Sequence, residues 1–166
     1  MTATKLPEGV VLARGVIAGA EWITVSRERL RETLSWLKGQ GYESYVFMTC
    51  VDHLATPLLE RPPERFELVY QLRDMEARRE LRVRVFVPED DPRMPSAHDI
   101  YRPANWDERE TWDLFGIAFE GHPDLTRILM PEDWVGHPLR RDYPVGGEPV
   151  DFSEDHETWQ TAPPEA

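Results

Sequence analysis

A single cysteine, Cys50, serves the whole 166-residue chain. One thiol makes no internal disulfide and cannot hold an iron–sulfur cluster, which normally takes four thiolates. Cys50 lies in the apolar run Tyr45–Val51, where a small buried hydrophobe is the expected role. Nothing therefore points to an oxidising compartment. Long apolar runs are missing as well. A bilayer span takes about 20 mostly apolar residues, and the longest candidate, Val10–Ile23, is broken by Arg14, Gly15, Gly19 and Glu21. The first ten residues, MTATKLPEGV, lack the charged-then-apolar order of a signal peptide. Cations are scarce: 19 Lys and Arg stand against 31 Asp and Glu, a net charge of −12. Such a surface repels phosphate backbones and anionic headgroups, which argues against nucleic acid and direct membrane adsorption and leaves basic protein partners open. The glycine-rich fingerprints for dinucleotides and nucleotide phosphates, the nucleophile elbow and the C-x-x-C pair are all absent.

What is present reads as one soluble domain with a single core. Glu21–Val25 alternates polar and apolar residues as a half-buried strand does. Ser26 is placed to cap a helix over Arg27–Lys38, in which Leu30, Leu34 and Leu37 share a face and Gly39 and Gly41 supply the stop. Tyr45–Asp52 reads as a buried strand. Phe66–Arg73 and Arg79–Val87, separated by a short turn, read as an antiparallel hairpin with Leu81, Val83, Val85 and Val87 on the inner face. A short helix capped by Ser96 is expected over Ser96–Tyr101, and a second, capped by Asn105, over Trp106–Phe115 with Gly116 ending it. Beyond Gly116 the periodicity stops, and Pro123, Pro131, Pro138 and Pro144 recur every six to eight residues.

The expected fold is therefore α+β: a mainly antiparallel sheet with helices packed on one face, followed by an irregular, proline-rich C-terminal extension. The division reads as a lead over 1–20, an α+β domain over 21–117, an irregular docking segment over 118–147, and an acidic tail over 148–166. That tail has six acidic residues and no Lys or Arg, a composition expected to be mobile when the chain is alone.

Charged groups crowd the stretch from Glu108 to Pro144. Glu108, Arg109, Glu110 and Asp113 share one helix. A carboxylate pair for acid–base work is one reading; charge pairing with Arg127, Arg140 and Arg141, or with a partner, is favoured, because no nucleophile or metal cluster accompanies them. His122, His137, Asp124 and Asp133 match no compact metal motif. The two Gly-His-Pro triplets around His122 and His137 read instead as similar turns, each fixed by a histidine hydrogen bond. Leu114 and Phe115 are assigned to the core, and Trp134, Arg140 and Arg141 to an interface, since tryptophan and arginine are enriched at binding hot spots. No catalytic, cofactor-binding or metal-binding residue is assigned.

The run ERETWDLFGIAFEGHPDLTRILMPEDWVGHPLRRDYP closely resembles the signature region of the 30 kDa (C-type) subunit family of proton-pumping NADH–quinone oxidoreductase, respiratory complex I. Glu108-Arg109-Glu110, Asp113 to Ile117, His122-Pro123, Arg127 to Leu129, Pro131-Glu132, Pro138 to Arg140 and Asp142-Tyr143-Pro144 carry the likeness. Arg140-Arg141 stands where Arg-Lys is commoner in the family. The resemblance implies a cofactor-free subunit of the hydrophilic arm, peripheral on the cytoplasmic side of the cell membrane and reaching it only through the complex. The complex uses FMN, iron–sulfur clusters and quinone. The implied partners are the quinone-site subunit (D type) and the cluster-bearing subunits (B and I types). The implied interface comprises Glu108, Arg109, Glu110, Asp113, His122, Arg127, Trp134, His137, Arg140, Arg141, Asp142 and Tyr143. The same signature occurs in membrane-bound hydrogenases and ferredoxin- or F420-linked dehydrogenases, which form the alternative reading. A free-standing enzyme using Glu108, Glu110, Asp113 and His122 is the least supported.

Overall fold

The computed structural model describes residues 10–17, 19–57 and 62–144. The chain runs β1 (Val11–Ile17), β2 (Ala20–Val25), a 3-10 turn (Arg27–Arg29), α1 (Leu30–Gly39), β3 (Ser44–Asp52), β4 (Phe66–Asp74), β5 (Arg79–Val87), β6 (Arg93–Pro95), α2 (Ala104–Phe115) and β7 (Ala118–Glu120). Five strands form one sheet in the order β1-β2-β5-β4-β3, and β6 and β7 form a small parallel pair. Every neighbouring pair in the large sheet is antiparallel except β2 with β5. β2 and β3 thus run the same way, with α1 as the crossover and the β4–β5 hairpin inserted between them, a split βαβ arrangement.

Alternation places Ile23, Val25, Leu68, Tyr70, Leu72, Leu81, Val83 and Val85 on the inner face, all buried. Leu30, Leu34 and Leu37 of α1 and Leu114 and Phe115 of α2 join them in one core. α1 ends as its glycines predict. Gly41 sits at φ +98°, the Tyr42 amide reaches back to the Leu37 carbonyl (3.1 Å), and the Gly41 amide reaches Lys38 (3.3 Å). This is the Schellman pattern, which a left-handed glycine permits.

Several local expectations give way to tertiary context. A strand, β1, precedes Glu21 inside the expected lead and adds an outer edge to the sheet. The Ser26 hydroxyl makes no capping bond; the chain opens in a 3-10 turn and α1 starts at Leu30. β3 is not buried on both faces. It lies at the sheet edge, with Met48, Cys50 and Asp52 inward and Phe47, Thr49 and Val51 exposed. Ser96–Tyr101 is a turn rather than a helix, because the Ser96 hydroxyl and the Ala97 amide both bind the Glu108 carboxyl. α2 starts two residues ahead of Trp106, directly after Pro103, whose fixed φ of −62° suits a helix entrance; Asn105 lies inside the first turn. β6 and β7 are three-residue strands with no sequence period to announce them, and β7 begins the segment expected to be irregular. The expected acidic tail lies outside the described residues.

The β3 edge is covered locally by α2: one Asp107 carboxylate oxygen accepts the Met48 amide (2.8 Å) and the Tyr45 hydroxyl (2.7 Å). At the other edge, the Trp22 ring lies across Gly15, and a Cβ added there would come within 2.6 Å of the indole. Gly15→Val is therefore expected to lower unfolding stability by about 1–3 kcal/mol, as overpacking does. In chemical denaturation, the added change Trp22→Leu should recover part of that loss; a purely additive pair would contradict this packing.

Candidate functional site

The residues singled out in the sequence gather around the second half of α2 and the chain that follows it. An α-helix leaves its last four carbonyls without intrahelical donors. Here the following segment supplies those donors. The Asp113 carbonyl accepts from His137 Nδ1 (2.9 Å), Leu114 from the Leu139 amide (3.1 Å), and Phe115 from Arg140 Nε (2.6 Å). The turn that makes this possible is Gly116, left-handed at φ +75°. A Cβ there would meet the His137 ring at 2.5 Å, so both the backbone angle and the close approach require glycine.

The Asp113 side chain is fully buried and organises the segment from below. Its Oδ2 accepts three consecutive amides, those of Ile128 (3.0 Å), Leu129 (2.9 Å) and Met130 (2.9 Å), and its Oδ1 pairs with Arg127. Burial alone would raise its pKa, but the three amides and the guanidinium outweigh that and hold the carboxyl below its ordinary value. Arg127 also donates to the carbonyls of Trp134 (2.8 Å) and Gly136 (3.4 Å), and Arg109 donates to those of Thr126 (3.1 Å) and Arg127 (2.9 Å).

A second clamp holds the far end. Arg65, itself buried, makes a two-pronged contact with Asp52 (2.8 and 3.1 Å) and another with Asp142 (2.6 and 3.0 Å). Asp52 also accepts the Arg141 amide (2.9 Å). Burial would raise Asp52, but Arg65 and the amides of Arg141 and Leu54 prevail and lower it. The Tyr143 ring packs on Gly136, which leaves no space for a Cβ (2.8 Å), and its hydroxyl donates to the Val135 carbonyl (3.2 Å).

The remaining expected site residues diverge. Among the described residues Glu108 pairs with no arginine. It is fully buried and accepts from the Ser96 hydroxyl (2.6 Å) and the Ala97 amide (2.6 Å). Burial pushes its pKa up to about 7. Glu110 is exposed and makes no salt bridge among the described residues. Arg140 points inward, its guanidinium 5.2 Å from the Phe66 ring centroid as well as on the Phe115 carbonyl, whereas Arg141 is exposed. Of the charge pairs expected between the helix carboxylates and Arg127, Arg140 and Arg141, Asp113–Arg127 is the one that forms. Leu114 and Phe115 are in the core as read from the sequence, and Trp134 is half-buried.

Both Gly-His-Pro triplets are turns with left-handed glycines, Gly121 at +82° and Gly136 at +90°. Each histidine hydrogen-bonds a main-chain carbonyl of α2: His122 Nε2 that of Asn105 (3.2 Å), His137 Nδ1 that of Asp113. His122 Nδ1 accepts the Asp124 amide, so its proton is on Nε2, and burial lowers its pKa. Glu108, Glu110, Asp113 and His122 therefore do not converge on one cleft. His122 comes within 4.0 Å of Glu108, yet its Nε2 proton is directed to Asn105. Among the described residues no group of three or more His, Cys, Asp or Glu is arranged to hold a metal. Sequence reasoning missed Asp52, Arg65 and Asp107. Asp52 and Arg65 carry no local signal, because Asp142 lies 77 positions beyond Arg65. The burial of Glu108 was legible: it shares a helical face with Ala104, Thr111 and Phe115.

Two variants test this organisation. Asp113→Ala leaves three amides without their acceptor and Arg127 without its carboxylate, and is expected to cost about 3–5 kcal/mol in denaturant unfolding; a loss under about 1 kcal/mol would refute the hub. Glu108 is a carboxyl whose folded pKa is raised, so the folded state keeps a proton that the unfolded chain releases. Its contribution is complete below about pH 4.5 and is lost as pH rises to about 7, by about 3 kcal/mol. Asp113 and Asp52, whose values are lowered, act oppositely and at lower pH. Glu108→Gln should remove the decline between pH 4.5 and 7 seen in wild-type melting; parallel pH profiles for the two proteins would contradict it.

Known proteins share this architecture and sequence. Residues 23–149 match the family described as respiratory-chain NADH dehydrogenase, 30 Kd subunit. A relative from Thermus thermophilus, the fifth-numbered subunit of its NADH-quinone oxidoreductase, is 46% identical over 142 residues, covering 82% of this chain and 67% of its own. The C-type NADH-quinone oxidoreductase subunit of Acidothermus cellulolyticus is 55% identical over 128 residues, covering 77% of this chain and 66% of its own. Its counterpart in Salinispora arenicola is matched over 57% of its length, so the chain spans roughly three-fifths to two-thirds of these relatives. Among solved structures, a trypsin-resistant fragment (1-134) of Nqo5 superposes with a TM-score of 0.61 at 41% identity, covering 64% of this chain and 83% of that one. A chain of the membrane-bound sulfane sulfur reductase, an archaeal respiratory membrane complex, superposes at 0.65 with 25% identity, covering 82% and 79%. The chain belongs to the 30 kDa subunit family of the respiratory-chain NADH dehydrogenase.

Proposed function

We propose that the chain is a cofactor-free accessory subunit in the hydrophilic arm of a proton-translocating NADH–quinone oxidoreductase. In this reading it seats the quinone-site subunit beside the subunits that carry the iron–sulfur clusters. The complex passes electrons from NADH through FMN and the clusters to quinone, and this subunit takes part by holding its neighbours in register. It is peripheral, on the cytoplasmic side of the membrane, and attached through its partners. No helix among the described residues is long and apolar enough to cross a membrane.

The observation that carries this reading is the contrast between the two sides of the segment after α2. Inward, Asp113 and Asp52 accept its backbone amides and Arg65 holds its Asp142 side chain. Outward, Leu129, Val135 and Leu139 are 61%, 85% and 51% exposed. Large apolar side chains held in water on a fixed frame favour docking, because the ordering entropy is met before the partner arrives. Within this reading Arg141, Glu110 and Trp134 make partner contacts. Arg109, Asp113, Arg127, His137, Arg140 and Asp142 keep the docking segment in shape, and Glu108 and His122 brace α2. The likeness to the archaeal sulfane sulfur reductase supports a second reading, the same module in a sister membrane-bound complex.

Purification of a tagged chain from its host should recover the large redox subunits; their absence would sink the proposal. NADH- and flavin-binding companions would favour the first reading, and other electron-input subunits the second. The triple variant Leu129→Asp, Val135→Asp, Leu139→Asp should melt like wild type, since these side chains are exposed, yet lower the yield of assembled complex on a native gel at least about tenfold. An unchanged yield would remove these residues from the interface.

A further inference from the structure

The face of the five-stranded sheet turned away from α1 and α2 has a character unlike the rest of this acidic chain. Its β3 edge leaves Phe47 and Val51 42% and 39% exposed, with Thr49 between them. Its charged residues are three arginines, Arg73, Arg82 and Arg84, against two glutamates, Glu67 and Glu80, on a chain whose net charge is −12. Arg84 pairs with Glu67, which also binds His53 Nε2 (2.8 Å), and Arg73 pairs with Glu80. Arg82 differs. On β5, the central strand, its Nε donates to the Gln71 amide oxygen (2.9 Å), and no carboxylate lies within salt-bridge reach among the described residues. Beside it, the Arg84 guanidinium lies 4.9 Å from the Trp22 ring centroid and 5.6 Å from that of Phe86, a flat aromatic–cation platform backed by Gly15.

We infer that this sheet face, open among the described residues, is a second docking surface, and that its occupant is an acidic segment of a companion subunit, one of whose carboxylates pairs with Arg82. The inference rests on the chain working within a larger complex. Aromatics interleaved with arginine, here the exposed Phe47 and the half-buried Trp22 and Phe86, are the composition of interface centres. A half-buried guanidinium with only an amide for company gains most from a carboxylate, through paired charge-assisted hydrogen bonds. A second copy of this chain, packed face to face about a two-fold axis through Arg82, would oppose arginine to arginine.

The test places a photo-crosslinking p-benzoylphenylalanine at Val51, and separately at Leu129, in the tagged full chain within its assembled complex, and reads the products by mass spectrometry. The Val51 probe is expected to capture a peptide of another subunit with more Asp and Glu than Lys and Arg. Arg82→Glu should lower that yield at least about fivefold, and added salt should lower it further, while the Leu129 crosslink persists. If Arg82→Glu alters the melting temperature, Arg82→Gln carries the same test, because it removes the charge and keeps an amide for Gln71. The inference is overturned by no capture at Val51, by capture of this same chain, a second copy, a basic peptide or nucleic acid, or by a yield that both Arg82 variants leave unmoved. Capture at Leu129 without capture at Val51 sinks this inference alone; loss of both also removes the docking reading of the segment after α2.

Discussion

A peptide segment without a ladder must still satisfy its buried backbone groups. In this chain the segment after Gly116 and the end of α2 satisfy each other. The helix offers the carbonyls of Asp113, Leu114 and Phe115, which have no donors of their own, and the segment returns His137, the Leu139 amide and Arg140. The Asp113 carboxylate takes three successive amides in the opposite direction. Order is achieved with almost no regular secondary structure, and prolines at 123, 131, 138 and 144 fit because none has an amide that needs an acceptor.

Two charge clamps, Asp113–Arg127 and the buried Asp52–Arg65 pair with the exposed Asp142, fix this segment to the domain. Taking ions from water is costly unless every lone pair and proton is answered. The two buried carboxylates, Asp113 and Asp52, are each answered by an arginine and by backbone amides. The result is a surface whose shape is set by the chain's own groups. A partner that meets it loses little conformational entropy on docking, which suits a subunit whose proposed work is to keep others in place.

Glu108 and Asp113 lie on the same helix, both fully buried, and their acidities move in opposite directions. Asp113 receives a guanidinium and three amides; Glu108 receives one hydroxyl and one amide, too little to offset burial. Opposed carboxylates can mark an acid–base pair. Here they face different walls of the fold, Ser96 and Ala97 on one side and residues 128–130 on the other. Their separation follows from what each side chain packs against.

Local sequence is enough to set the β4–β5 hairpin, the leucine face of α1, the glycine stops at Gly41 and Gly116, the two Gly-His-Pro turns and the family signature. Each of these is written within a few residues, through a period of two or 3.6 or through a backbone angle that only glycine adopts readily. Long-range packing settles the rest. β1, β6 and β7 exist because partners pair with them. The turn at Ser96 replaces a helix because Glu108 captures its donors, and Arg140 turns inward to a helix carbonyl rather than outward. Arg65 meets Asp142 across 77 residues. No local pattern encodes such meetings, because they depend on which surfaces the completed sheet brings within a hydrogen bond of each other.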